Sequence, residues 1–403
     1  MSYHVAPLRR HSYVSPAFFP FTHPSLRISI HRARGGAIAA DGRSNLFGWN
    51  ETQGDVFSGN EAGPGVLLLH QCNQDRKIWG DLPAQLAASG IHVLAFDLRN
   101  FGESEGKPYA GLSLQERQAA VRSWPADVDA AYAYLAAQPG VKRDVIGLAG
   151  ASCGGDNSIK AAMRHPEVKS MVLLAGPTDL AGRNFLRKSN LPVLYGYADD
   201  DQFPETIVET EWLYDLTPNP GKRLVRYPDG KHGAEIFSVH PEFVGVIREW
   251  FVTTLIKTPG RAPAPKEQHV VPQGAKVLSM LDQPGGATKV SSMLAEARKK
   301  DPKATLFPEA PVNVLGYEYM QSGDNKTAIE ILKLNVEAYP QSANVYDSVS
   351  DAYLAAGEKE LARENARKAL EMLASDSSLN DQLREAIKAS AEQKLKQLGE
   401  KKE

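Results

Sequence analysis

The chain has 403 residues, enough for two or three domains at roughly 150 residues each. Its 46 Lys and Arg against 48 Asp and Glu leave a formal net charge of −2, which argues against a dedicated nucleic-acid binder, since phosphate contacts need a basic excess. Hydrophobic residues at 42% exclude wholesale disorder, and two cysteines exclude both a disulfide-built scaffold and a four-cysteine zinc module.

Residues 1–64 are rich in Pro, Gly, Ser and aromatic residues with little periodicity, and read as an N-terminal arm. Within it Ile28 to Ile38 is expected to hold a strand or two leading into a sheet. Arg9 and Arg10 open the arm, but Ser, Pro and His interrupt the next stretch before a clean apolar run forms, so it does not read as a signal peptide. No apolar run is long enough to span a bilayer. A cytoplasmic chain with no integral membrane segment is the expectation, or a periplasmic or secreted one if the true start lies elsewhere.

Residues 65–258 alternate short apolar runs with amphipathic stretches. The runs Gly65–His70, Ile91–Asp97, Asp144–Gly150, Ser170–Gly176, Leu191–Gly196 and Arg223–Tyr227 are predicted strands. Trp79–Ser89, Asp127–Ala137 and Ser158–Arg164 are predicted helices between them. This alternation predicts an α/β domain, a mostly parallel sheet with helices on both faces. Between Gly176 and Leu191 few residues remain for a cap, so an accessible site is expected.

Pro and charged residues crowd residues 258–272, and 259–304 reads as a linker and connecting segment. Helix formers then dominate an all-α region, 305–403. Tyr319, Gly323 and Ala328 recur 34 residues later as Tyr353, Gly357 and Ala362. Two helix–turn–helix units of that period are too few for an independent core. The tail is therefore expected to lean on the preceding domain or on another chain.

The sharpest chemical signal is Gly150-Ala151-Ser152-Cys153-Gly154-Gly155, placed between a predicted strand and a helix. A G-x-S-x-G turn in that context lifts a serine hydroxyl clear of the sheet, and the glycines let strand, turn and helix pack closely. The bland alternative for Ser152 is a helix N-cap. An acid and then a base should follow in chain order. Asp199, Asp200 and Asp201 come after the run ending at Gly196, and His232 sits in the glycine-flanked loop Asp229–Gly233. Loop spacing favours Asp199, with Asp200 and Asp201 as alternatives. His70, His92, His165 and His240 read as structural, His70 as a brace for the loop after the first predicted strand.

These segments resemble the α/β-hydrolase superfamily over residues 65–255, within its dienelactone-hydrolase-like or simple esterase branch. Leu67-Leu68-Leu69-His70 resembles the strand ending in His-Gly that leads to the oxyanion loop. Phe96 to Ser104 resembles the Asp-x-Arg-Gly-x-Gly-x-Ser segment, and Gly196-x-x-Asp199 and Gly230-x-His232-Gly233 match the acid and base segments. Two residues depart from the pattern: Gln71 and Asn100 stand where the family has glycine. Residues 305–372 resemble the tetratricopeptide-like tails found behind some bacterial serine hydrolases.

The resemblance implies a serine carboxylesterase with a Ser152–His232–Asp199 triad and an oxyanion hole at the N–H groups of Cys72 and Cys153. It implies a small-molecule ester substrate and no cofactor. No metal-spaced His/Cys set and no nucleotide-binding glycine motif is evident. A peptidase or acyltransferase on the same triad, or a repeat-bearing scaffold with a vestigial hydrolase domain, are the alternatives; the tail is a candidate surface for a protein partner or self-association. Both cysteines fall on the oxyanion positions and are expected near each other. The default is two unrelated small side chains; the alternative is a disulfide joining oxyanion loop to elbow.

Overall fold

The computed structural model describes residues 40–45, 51–265, 267, 269–377 and 379–399. The expected strands between Ile28 and Ile38 lie outside these residues. Among the described residues, eight strands form one sheet: β1 (Ala40–Asn45), β2 (Glu51–Phe57), β3 (Gly63–Leu69), β4 (His92–Phe96), β5 (Val141–Ala151), β6 (Val168–Leu174), β7 (Val193–Ala198) and β8 (Arg223–Tyr227). Their order is β1-β2-β4-β3-β5-β6-β7-β8. β1 and β2 run antiparallel to their neighbours, and β3 to β8 are parallel.

The helices of this part are α1 (Leu82–Ala88), α2 (Leu114–Ala136), α3 (Cys153–Arg164), α4 (Leu180–Lys188), α5 (Glu205–Leu216) and α6 (Glu242–Phe251). The tail adds α7 (Gln273–Leu281), α8 (Gly286–Lys300), α9 (Glu309–Gln321), α10 (Asn325–Ala338), α11 (Ala343–Ala356), α12 (Lys359–Leu373) and α13 (Asp381–Gln397). Helix α2 starts 13 residues before the predicted Asp127. Pro125 hid the periodicity, although Ser113 and Glu116 form a capping box that marks the true start.

Successive residues of a strand face opposite sides, and the inner strands β3, β4 and β7 are buried on both. In β3, Leu67 and Leu69 pack toward α2 and α3, whereas Val66 and Leu68 pack toward α1 and α6. The first of these apolar layers continues unbroken past α5 into α7, α8, α9 and α10. The tail therefore leans on the sheet domain, the first of the two expected arrangements. Helix α11 begins at Ala343, 34 residues after α9, and α12 at Lys359, 34 residues after α10. Small residues allow the crossings: a Cβ on Gly316 would lie 2.4 Å from Leu332.

Polar groups seal the junction. Arg183 of α4, only 2% exposed, donates to Asp282 at the end of α7 (3.0 Å), Glu318 of α9 (2.5 Å) and the Thr178 carbonyl (2.8 Å). Its guanidinium lies 4.4 Å above the Trp212 ring. Arg187 and the Tyr319 hydroxyl also donate to Asp282. Removing one member of a buried ionic cluster leaves its partners charged and desolvated. Arg183→Ala is thus expected to lower unfolding free energy by about 3 kcal/mol, measured by urea denaturation; a loss under ~0.5 kcal/mol would mean the cluster contributes nothing to the docking of the tail.

Residues 175–192 hold only α4, so no cap domain enters between β6 and β7. The face that this leaves on α4 and α5 is covered by α7 and α9 instead. Among the described residues, no helix is long and apolar enough to cross a membrane.

Candidate active site

Strand β5 ends at Ala151, and Ser152 turns the chain into α3 with φ 51° and ψ −122°. A non-glycine residue in that region is strained, and such strain persists only where the surroundings enforce it. Here they do. The Ser152 N–H donates to the Leu174 carbonyl (2.8 Å), and the Ser152 carbonyl accepts from Gly155 N–H (2.8 Å). The two flanking glycines are required by close approach. A Cβ on Gly150 would sit 2.1 Å from the Gly154 carbonyl oxygen, and one on Gly154 would sit 2.2 Å from that of Leu69.

The loop that carries His232, the expected base, follows β8. His232 is 2% exposed, and its Nδ1 lies 2.8 Å from Oδ2 of Asp201. A carboxylate only accepts, so Nδ1 carries the proton and Nε2 keeps its lone pair. The edge of Phe203 packs on the imidazole with ring centroids 4.9 Å apart. A Cβ on Gly233 (φ 60°) would fall 3.3 Å from Ala151 Cβ, so the base loop lies against the elbow one residue from Ser152.

The structure pairs His232 with Asp201 and not with Asp199, the residue expected there. The three consecutive aspartates face three ways. Asp199 is half-exposed and forms a two-pronged pair with Arg226 (2.7 and 2.9 Å). Asp200 accepts from the Lys231 N–H (2.8 Å), holding a residue with φ 61° just before the histidine. Asp201, 6% exposed, accepts from His232, the Phe203 N–H (2.8 Å) and the Thr206 hydroxyl (3.0 Å). Distance from the strand end does not separate adjacent residues of a turn. The rotation of the turn does, and no sequence signal carried it.

The loop expected to carry the oxyanion hole begins at His70 after β3. Leu98 N–H donates to His70 Nε2 (3.1 Å), which leaves Nδ1–H to bond the Gln71 carbonyl (2.9 Å). His70 thus braces the loop, and burial lowers its pKa below the ordinary 6.5. The folded chain then binds fewer protons than the unfolded one, so this contribution is full above pH 6.5 and is lost as pH falls. The urea midpoint is expected to drop between about pH 7.5 and 5.5, and to drop less in His70→Gln; equal slopes would remove His70 as the cause.

Asp97 ties the next loop to this one. It accepts from the Arg76 N–H (2.7 Å), the Glu103 N–H (3.0 Å) and the Arg76 guanidinium. Asn100, replacing a glycine of the family pattern, has φ 70°, a left-handed conformation that Asn tolerates. Cys72 and Cys153 are not two unrelated side chains. They form a disulfide with Cα atoms 5.8 Å apart, linking the loop after β3 to the residue after Ser152. Cys153 is the first residue of α3, where an N–H has no partner within the helix. Among the described residues, no group of three or more His, Cys, Asp or Glu side chains converges for a metal ion.

Residues 64–189 match the family model described as the alpha/beta hydrolase fold. This part of the chain has the α/β-hydrolase fold. The match contains Ser152 and both cysteines, while Asp201 and His232 lie beyond its end. A thiohydrolase of Aspergillus aculeatus is 33% identical over 121 residues, which is 30% of this chain and 36% of the thiohydrolase. The chain therefore spans about a third of that relative's length. Among solved structures, a dienelactone hydrolase from Anabaena variabilis is 20% identical with a TM-score of 0.42, covering 57% of this chain and 99% of that one. An esterase from Pyrococcus furiosus is 18% identical with a TM-score of 0.43, covering 58% and 100%.

Proposed function

We propose that the protein is a serine hydrolase that cleaves small or accessible carboxylic esters through an acyl-enzyme, with Ser152 as nucleophile, His232 as base and Asp201 as the acid that orients it. The observation that carries this is the buried Asp201–His232 pair set against the strained Ser152 elbow. Ser152 Oγ attacks the ester carbonyl while His232 Nε2 takes its proton. The carbonyl oxygen becomes an oxyanion, met by the N–H groups of Cys72 and Cys153; one such donor is worth about 3 kcal/mol in the transition state. His232 then protonates the departing alcohol. Water repeats the sequence on the acyl-enzyme and frees the acid and Ser152.

Thioesters are the second substrate class, favoured by the likeness to a thiohydrolase over 121 residues. The same steps serve, with a thiol leaving in place of an alcohol. In this reading α7 and α9 substitute for a cap, and the 34-residue spacing of the tail helices supports a tetratricopeptide-like repeat. A disulfide beside the site suits an oxidising compartment better than the cytoplasm expected from the N-terminus.

The test is a panel of p-nitrophenyl esters of increasing acyl length beside matched acyl thioesters and anilides. Turnover of esters or thioesters with little on anilides is the expected result. Turnover of anilides alone would make the protein a peptidase, and none at all would leave the hydrolase reading without support.

A further inference from the structure

We propose that Gln71 and Cys72 are positioning residues that tie the oxyanion loop to the base loop and to the nucleophile elbow, and that a dithiol reductant cuts the second of these ties. The proposal rests on the serine-hydrolase reading above.

Gln71 stands where the family pattern has glycine, and its side chain is fully buried. Its Oε1 accepts from the Ala234 N–H (2.9 Å), two residues after His232. Its Nε2 donates to Asn73 Oδ1 (2.8 Å) and reaches Glu235 Oε1 at 3.4 Å. The amide therefore fixes the oxyanion loop internally and fastens it to the base loop. A glycine could do neither. The next residue, Cys72, is fastened through its sulfur to Cys153, across a sequence separation of 81. The N–H of Cys72 thus lies between two ties, one to each of the other two catalytic segments.

Such a donor acts only if held where the oxyanion forms, about 2.7–3.1 Å from it. A misplacement near 1 Å can cost on the order of 100-fold in rate. Loosening the loop should therefore lower kcat and leave KM nearly unchanged, because the ground-state carbonyl carries little charge.

The disulfide is reachable: Cys72 and Cys153 are half-buried, as is Ser152. Cys153 opens α3, where a thiolate is stabilised, so it is the favoured leaving group. The reductant thiolate attacks Cys72 Sγ, the S–S bond breaks, and Cys153 departs as thiolate. The second thiol of the reductant then attacks the mixed disulfide and releases Cys72. Two electrons pass to the protein, each cysteine gains a proton, and the reductant leaves as its cyclic disulfide. Gln71 still holds the loop afterwards, so the loss is partial.

The experiment uses the full chain, air-oxidised, with p-nitrophenyl acetate as substrate and dithiothreitol as reductant. Alkylation and intact mass count the free thiols in each state. Reduction should lower kcat about 10-fold with KM within about twofold. Cys72→Ser should match the reduced protein and ignore dithiothreitol. Gln71→Met, which fills the space without an acceptor, should lose about 10-fold in kcat, and Gln71→Glu paired with Glu235→Gln, which keeps the acceptor without opposing two carboxylates, should recover most of it. Melting curves establish that each variant is folded at assay temperature. If Cys72→Ser fails to fold, the reduced parent and Gln71→Met carry the test.

Full kcat in the reduced parent together with full kcat in Gln71→Met would overturn the proposal, as would losses confined to KM or two free thiols after oxidation. Activity in the oxidised parent with these results sinks the ties alone. An oxidised parent with no activity that a fluorophosphonate leaves unlabelled sinks the hydrolase reading and this proposal with it.

Discussion

Ser152→Ala is expected to lower kcat for p-nitrophenyl acetate by about five orders of magnitude while leaving the fold intact. Removing the nucleophile of a serine triad costs on this scale because attack, proton transfer and covalent capture are lost together. Alanine fits the site: Ser152 is anchored by its backbone, through the Leu174 carbonyl and the Gly155 N–H, and those bonds survive the substitution. What remains, roughly 10³-fold over water, would come from oxyanion donors and substrate positioning. Steady-state kinetics with melting curves on both proteins check this. Loss within tenfold would remove Ser152 as the nucleophile.

Asp201→Asn is the second large effect. The carboxylate accepts from His232 Nδ1–H, which in the proposed mechanism keeps Nε2 free to take the serine proton. An asparagine amide in the same place donates to Nδ1, moves the ring proton to Nε2 and leaves the base in the wrong tautomer. A kcat loss of about 10⁴-fold is expected, with little change in KM. Asp199→Asn is the matched control. Its pair with Arg226 is half-exposed, worth no more than about 1 kcal/mol of stability, and kcat should stay within about threefold of the parent. The reverse ranking would reinstate Asp199 as the acid.

The elbow was legible in the sequence because two glycines around a serine leave a chemical signature of the close approaches at Gly150 and Gly154. The inner strands were legible because burial on both faces makes them continuous apolar runs, and with the half-exposed edge strand β8 six of the eight described strands fell on the predicted segments to within a few residues. What escaped depends on where the chain goes in space. Asp199, Asp200 and Asp201 are equivalent as sequence, and a turn of two residues assigns them to Arg226, Lys231 and His232. The disulfide joins residues 81 apart, and only the packing of β3 beside β5 brings them within 5.8 Å. Gln71 looked like a mere loss of glycine, because its value lies in an Ala234 N–H that is 163 residues away. That the tail would lean on the preceding domain or on another chain followed from its shortness, whereas the docking on α4 and α5 depends on spatial contacts such as Arg183 meeting Asp282 and Glu318.

Covalent trapping reports on the Ser152 hydroxyl itself. The oxidised full chain is treated with a fluorophosphonate, digested, and read by peptide mass spectrometry, with His232→Ala beside it. A single adduct on the peptide containing Ser152, slowed at least about 100-fold in the His232 variant, is the predicted result. No adduct, or one placed on another residue, would contradict a serine nucleophile activated by the Asp201–His232 pair.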